Sequence, residues 1–302
     1  MKNIFKPVHL IFSLLIAVIA VVSCNLTVEN FWSGDTNVNR RITGLKNLSE
    51  SDDSIKAWKN DGETKYKVLV ITDVHLGADF YDSSNTEAFF KWLADYSDKA
   101  QIKFALGLGD FTDNAHESEY KRYARIVSRI EEALPGRKVL NVIGNHDLFQ
   151  SDGYELYEQY CYPHTSFYKF ETQKLVWYGL DTGSGLLGSR QLAFLRQSLP
   201  QDSKSKTPVI FTHIPFAADG LGPWLLPYCL RDTTERNIMI GLFSRSKIKG
   251  YFCGHYHPGG SETVGNVTQY GLKSFGEFGK WYILDIDETT QPPSISVHQY
   301  PN

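Results

Sequence analysis

Carboxylate, amide and imidazole side chains recur in five short motifs along this 302-residue chain. They are Asp73-Val74-His75, Gly109-Asp110-Phe111-Thr112-Asp113, Gly144-Asn145-His146-Asp147, the single His213, and Gly254-His255-Tyr256-His257. Mixed oxygen and nitrogen donors of this kind suit borderline metals such as Mn, Fe, Zn, Co or Ni. None of the five motifs contributes a thiolate ligand, which argues against a structural zinc site. Two ions roughly 3.5–4 Å apart can share one carboxylate and hold a hydroxide between them. One Asp-x-His, or one histidine in an apolar setting, reads as chance or as a satisfied core residue. Five in order, each behind an apolar run, read as one centre for two metals.

The elements that must position these groups are visible as well. The motifs follow strand-like apolar runs at 68–71, 104–108, 139–143, 209–211 and 251–253. Polar groups at strand ends gather along one edge of an α/β sheet. Apolar residues at helical spacing mark helices over 85–99, 117–134, 189–199 and 232–247, the last opened by Asp232 and Glu235 as a capping box. A further strand is expected over 175–180 and a closing hairpin over 281–286 and 294–299. Strands alternating with helices give the α/β class. The chain shows no internal repeat and no low-complexity stretch. Irregular loops at 78–86 and 217–228 are candidates for shaping a substrate pocket.

The order D-x-H, G-D-x-x-D, G-N-H-D, H, G-H-x-H resembles the calcineurin-like metallophosphoesterase superfamily, from Lys67 to about Asp287. The resemblance implies a four-layer α/β/β/α sandwich of two mixed sheets flanked by helices, in one domain over 65–302. It implies hydrolysis of phosphoric esters by a metal-bridging hydroxide. Carried over, Asp73, His75 and His257 would hold one metal, Asn145, His213 and His255 the other, and Asp110 would bridge them. His146 would face the substrate, protonating the departing alkoxide or stabilising phosphoryl charge. Asp147 and Asp113 would orient neighbouring ligands, with Asp147 holding His146. Asp113 stands where purple acid phosphatases place a tyrosine ligand, so no iron–tyrosinate charge transfer is expected.

The N-terminus carries a second signal. Lys2 and Lys6 precede an apolar stretch over 10–22, broken by Ser13 and followed by Val21-Val22-Ser23-Cys24. A basic region, a short apolar region and small residues before a cut describe a secretory signal over 1–23. The cysteine after Val-Val-Ser is similar to a bacterial lipobox, so Cys24 is expected to be lipidated. The apolar run is shorter than the roughly 20 residues of a membrane span. Asn25 is not the aspartate that retains many lipoproteins in the inner membrane, so the outer membrane is the expected destination. Residues 24–64, rich in Asn, Ser, Thr and Asp, read as a polar tether.

Formal net charge is −3. Residues 1–23 hold two lysines and no acid, which leaves −5 for the remainder. No basic run is present, which argues against a dedicated nucleic-acid surface while leaving a small phosphorylated substrate open. Beyond Cys24 the chain has Cys161, Cys229 and Cys253, an odd number, and a Cys161–Cys229 pair is left open. Monoesters, diesters, nucleotides and cyclic nucleotides all fit the motifs. The alternatives are a protein phosphatase, or a non-catalytic surface lipoprotein with a retired site.

Overall fold

The computed structural model describes residues 38–217 and 228–301. The signal expected over 1–23 and the lipidation expected at Cys24 lie outside them. Twelve strands are described: β1 (Lys46–Asn47), β2 (Lys65–Ile71), β3 (Ile102–Gly107), β4 (Val139–Asn141), β5 (Tyr168–Glu171), β6 (Leu175–Gly179), β7 (Thr207–Phe211), β8 (Tyr251–Cys253), β9 (Gly260–Val264), β10 (Val267–Gly271), β11 (Trp281–Asp287) and β12 (Ser294–Tyr300). The longer helices are α1 (Ser83–Asp95), α2 (Glu117–Ala133), α3 (Gly153–Tyr160), α4 (Gly188–Asp202) and α5 (Thr233–Arg245). No helix among the described residues is long and apolar enough to cross a membrane.

The strands form two mixed sheets. One has the order β1-β5-β6-β7-β8-β10-β9, the other β12-β11-β2-β3-β4. Side chains alternate across a strand, so one strand feeds two layers. In β2, Val68 and Val70 point into the inter-sheet core with Phe104, Trp177, Val209 and Phe252, while Leu69 and Ile71 meet Phe89, Leu93, Tyr120 and Tyr123 of α1 and α2. On the far face of the other sheet, Tyr178 and Ile210 pack against Leu195 of α4 and Phe243 of α5. These layers are the α/β/β/α sandwich, and cover on both faces explains why the central strands read as unbroken apolar runs.

The polar tether expected over 24–64 is corrected from Val38 onward. Three single α-helical turns, one 3-10 turn and β1 lie on the body, and β1 pairs in parallel with β5. Val38, Ile42, Leu48, Ile55 and Trp58 are buried. Trp58 stacks on Phe104 at 5.1 Å between ring centroids, closing the open end of the inter-sheet core. Lys103 of β3 pairs with Asp61 and Glu63. The apolar anchors are spread over several short turns, so no helical or strand period betrays them.

Helix caps follow the local sequence. Asp82 accepts from Ser84 N–H at the start of α1, and Asp232 accepts from Thr234 and Glu235 N–H at the start of α5. The Glu235 carboxylate reaches across to Leu187 and Gly188 N–H, tying α5 to the start of α4. Cys161 and Cys253 are buried free thiols; Cys229 is buried as well, and its Sγ accepts a hydrogen bond from Arg236.

Arg41 fixes the N-terminal segment. Its guanidinium makes a two-pronged contact with Asp181 (2.9 and 2.8 Å), both side chains being buried. Arg41→Ala leaves that carboxylate buried without its cation and should cost about 3–5 kcal/mol. Urea unfolding should show the lowered midpoint with an unchanged slope. A loss below about 1 kcal/mol would mean that the pair does not hold the segment.

Candidate metal centre

Strands β2, β3 and β4 run parallel in one sheet, as do β7 and β8 in the other, so their carboxyl ends share an edge. Just past those ends the backbone turns left-handed at Asp73 (φ 52°), His75 (50°), Asp110 (51°) and His255 (66°). Each such turn in a non-glycine residue costs of order 1 kcal/mol or more and persists only where the surroundings impose it. Bonds between the loops impose it here. Asp73 N–H donates to Gly109 O, His75 N–H to Asp110 O, and Gly254 N–H to His213 O. Glycine is needed where loops nearly touch. A Cβ on Gly254 would lie 2.3 Å from Asp73 Oδ2, and one on Gly144 2.2 Å from Asp110 Oδ1.

All seven residues expected as ligands come together. Asp73, His75 and His257 form one compact group of donor atoms, and Asp110, His213 and His255 form another. Asn145 Oδ1 lies 3.2 Å from His213 Nε2. Asp110 Oδ2 stands between the groups, 3.5 Å from His75 Nε2 and 3.1 Å from His213 Nε2. The anions are held by donors from neighbouring loops. Asp73 accepts from Thr72 Oγ1 and from His255 N–H, and Asp110 Oδ1 accepts from His146 N–H at 2.8 Å.

The hydrogen-bond partners set where the imidazole protons sit. His75 Nδ1 faces Asp113 Oδ1 (3.2 Å), His257 Nδ1 faces Glu277 Oε2 (2.6 Å), and His213 Nδ1 faces the Leu108 carbonyl (2.8 Å). Each of these acceptors requires N–H on Nδ1. Neutral rings then turn bare Nε2 lone pairs inward. His75 and His257 bring theirs to 3.1 Å of each other. His213 turns its Nε2 to Asp110 Oδ2 and Asn145 Oδ1. Lone pairs and anions converging in a buried place need a cation among them, so the donor set fits metal ions.

Titration behaviour agrees with this crowding. Burial opposes charge on Asp110, yet His213, His75 and His146 outweigh it and hold its pKa below the usual carboxylate value. Burial likewise opposes a proton on His213, but Asp110 raises its pKa to about 9. Burial and the neighbouring His213 lower His255 to about 3. Burial lowers His75 despite Asp110 and Asp73.

One expectation changes. Asp147 was expected to orient His146, but its fully buried carboxylate accepts from Phe111 N–H, Thr112 N–H, Thr112 Oγ1 and Gly144 N–H. It braces the loops after β3 and β4 against each other. Burial and the charge of Asp110 raise its pKa to about 6. The His146 ring is oriented by Asp113, whose carbonyl accepts from Nδ1 at 2.8 Å and whose Oδ1 lies 3.6 Å away. Asp113 therefore serves both His75 and His146. Glu277 was missed, although Ser274 and Glu277 have capping-box spacing and Ser274 Oγ accepts from Glu277 N–H. Of the two irregular loops, the first places Phe80 against His75 and His257. Most of the second lies outside the described residues, though Tyr228 at its end lies against His255.

This fold and site define a family. The model for the calcineurin-like phosphoesterases matches residues 66–259, and the chain belongs to that family. It is a metal-dependent phosphoester hydrolase. Among solved structures it is similar to a dimetal phosphatase from Danio rerio (15% identity, TM-score 0.53, 74% of this chain and 93% of that one). It is also similar to a purple acid phosphatase from yellow lupin, Lupinus luteus, seeds (12%, 0.54), covering 74% of this chain and 49% of that longer one. A third is GAP50, the anchor in the inner membrane complex of Plasmodium (10%, 0.51, 78% of this chain and 89% of that one). At these identities the likeness is one of fold. No curated protein sequence matches the chain.

Metal uptake should release protons. In the metal-free protein His213 keeps a proton up to about pH 9, on the Nε2 that faces Asp110. A cation there must displace it. Affinity should therefore rise between pH 7 and 9, approaching about tenfold per unit, and level off above. Calorimetry at pH 7 in buffers of different ionisation enthalpy measures the proton count. A count of zero would remove His213 from the ligand set or from its protonated state.

Proposed function

We propose that this enzyme hydrolyses phosphoric esters of small molecules at a centre of two metal ions. In this reading Asp73, His75 and His257 hold one ion, Asn145, His213 and His255 the other, and Asp110 touches both. The observation that carries it is the Asp110 carboxylate, lying 3.5 Å from His75 Nε2 and 3.1 Å from His213 Nε2 at the meeting point of the two groups. When bound, such ions supply Lewis-acid polarisation of the phosphoryl oxygens and a water acidified towards neutral pH.

The chain's own contribution is positioning and proton handling. Asp113 and Glu277 hold His75 and His257 from outside, so those rings cannot turn away from the centre. His146 is fixed at its backbone by Asp110 and at Nδ1 by Asp113, and it lines the open cleft above the centre. That leaves Nε2 to meet the ester. We assign it the proton that goes to the departing alkoxide.

His146→Asn should keep its metals, since in this reading its ring touches Asp113 but holds no ion. Its rate should fall by roughly 10²–10⁴. The fall should be larger for an alkyl ester, whose alkoxide needs the proton, than for a nitrophenyl ester. Metal analysis and kcat/KM on both esters decide it. An equal fall on both would make His146 a charge stabiliser and not the acid.

The same proposal places the enzyme outside the cytoplasm, on a lipid attached to Cys24. Support comes from the basic start, the short apolar stretch and the Val-Val-Ser-Cys sequence. A clickable fatty acid fed to a bacterium that processes lipoproteins should label the wild-type protein and not Cys24→Ser. A labelled serine variant would overturn the anchor.

A further inference from the structure

Among the described residues, the large hydrophobic side chains left exposed are Phe80, Phe149, Tyr228 and Phe278, and all are aromatic. Three of them lie against histidines of the candidate centre. Phe80 lies edge-on to His75 (5.3 Å between centroids) and His257 (5.6 Å). Phe149 lies against His146 at 4.3 Å, and Tyr228 against His255 at 5.9 Å. Phe278 follows Glu277, the partner of His257. Exposed apolar groups gathered in one place mark a binding surface.

The arrangement near His146 is the most informative. The rings of Phe80, His75, His146 and Phe149 form a row with successive centroids 5.3, 4.5 and 4.3 Å apart. Phe149 is three residues beyond His146, at the end of the tight turn His146–Leu148. Residues three apart eclipse in such a turn, so the chain itself sets Phe149 beside His146. Phe149 is 55% exposed there. Among the described residues lining the cleft, Asp110 and Glu277 are the acidic ones, and neither lysine nor arginine is present. A leaving half with further negative charge would find no cationic side chain among them. Phe149 and Phe80 flank that cleft, reached through its lining residues His146 and His257, and offer a flat neutral ring aromatic faces.

We infer that Phe149, with Phe80, is the specificity surface for the leaving half of the ester, and that this half is a neutral planar ring, either a nucleobase or a simple aryl group. The inference rests on the phosphoesterase reading above and names its substrate class. Stacking of a planar ring on an aromatic side chain commonly changes affinity by roughly 5- to 100-fold.

The test uses the full chain loaded with the most active of Mn, Fe, Zn, Co and Ni. The substrates are benzyl phosphate, adenosine 5′-phosphate and glycerol 3-phosphate, each also as its methyl diester. All have alkoxide leaving groups, so differences report binding of the ring. Wild type should prefer a ring-bearing ester to the glycerol ester in kcat/KM. In Phe149→Ala that preference should fall about 5- to 100-fold, and Phe149→Trp should restore it. Whether the benzyl or the adenosine ester shows the drop separates aryl from nucleobase. An unchanged preference in Phe149→Ala, or none in wild type, overturns the inference. If the wild type turned over none of these esters, the phosphoesterase reading would fail, and this inference with it.

Discussion

The structure is organised around a cluster that repels itself. Carboxylates and bare imidazole nitrogens are packed within bonding distance of one another in a largely buried place, with the ring protons drawn outward by Asp113, Glu277 and the Leu108 carbonyl. Such a cluster is unstable without positive charge. In the metal-free chain the proton shared by His213 and Asp110 supplies part of it. Everything near the centre resists the tendency of these groups to separate. The left-handed turns at Asp73, His75, Asp110 and His255 hold side chains that a relaxed backbone would swing apart. Asp147, buried beneath, ties the loop after β3 to the loop after β4. The two-sheet core provides the stability from which this strain is drawn.

Support for the site extends into the helices. Tyr120 of α2 donates to the carbonyl of Asp147, and Tyr123 donates to Asn141 Oδ1 at the end of β4. Ser274 donates to the carbonyl of Asp73 while capping the turn that carries Glu277. The groups of the centre therefore stand on three tiers: the expected ligands, the carboxylates that orient them, and buried hydroxyls or amides behind. Of the second tier, Glu277 also lines the cleft.

The convergence of those side chains was legible in the sequence, because each expected ligand follows a buried strand and so carries its address with it. The strands and long helices were legible for the same reason, through apolar runs and helical stripes. What stayed hidden lacked a local signal. The segment from Val38 to Glu63 scatters its apolar anchors among polar residues, and its burial is decided by Trp58 meeting Phe104 and Arg41 meeting Asp181, partners 46 and 140 positions away. Strand β9 is largely exposed at a sheet edge and shows no apolar pattern. The role expected for Asp147 came from the resemblance, yet its neighbours in space are three backbone amides and the Thr112 hydroxyl, which no pattern of side chains reveals. Phe149 stood in plain view after Gly144-Asn145-His146-Asp147, but a lone phenylalanine reads as core until its exposure is known.

The place of β2 has a consequence for how the molecule is made. It is the central strand of its sheet, flanked by β3 on one side and by β11 on the other, with Tyr66 paired to Val70 against Ile286 to Tyr282 in antiparallel register. The ligands Asp73 and His75 leave from its end. A chain emerging amino-terminus first cannot bring His255 to Asp73 until 182 further residues have appeared, nor pair β2 with β11 until more than two hundred have. Pairings this distant form late and slowly. The nascent protein must stay open, with β2 unpaired on one edge, for almost its entire synthesis. That condition makes chain termination beyond His257 but before β11 fatal to the site, even though every side chain expected to hold metal has by then been made.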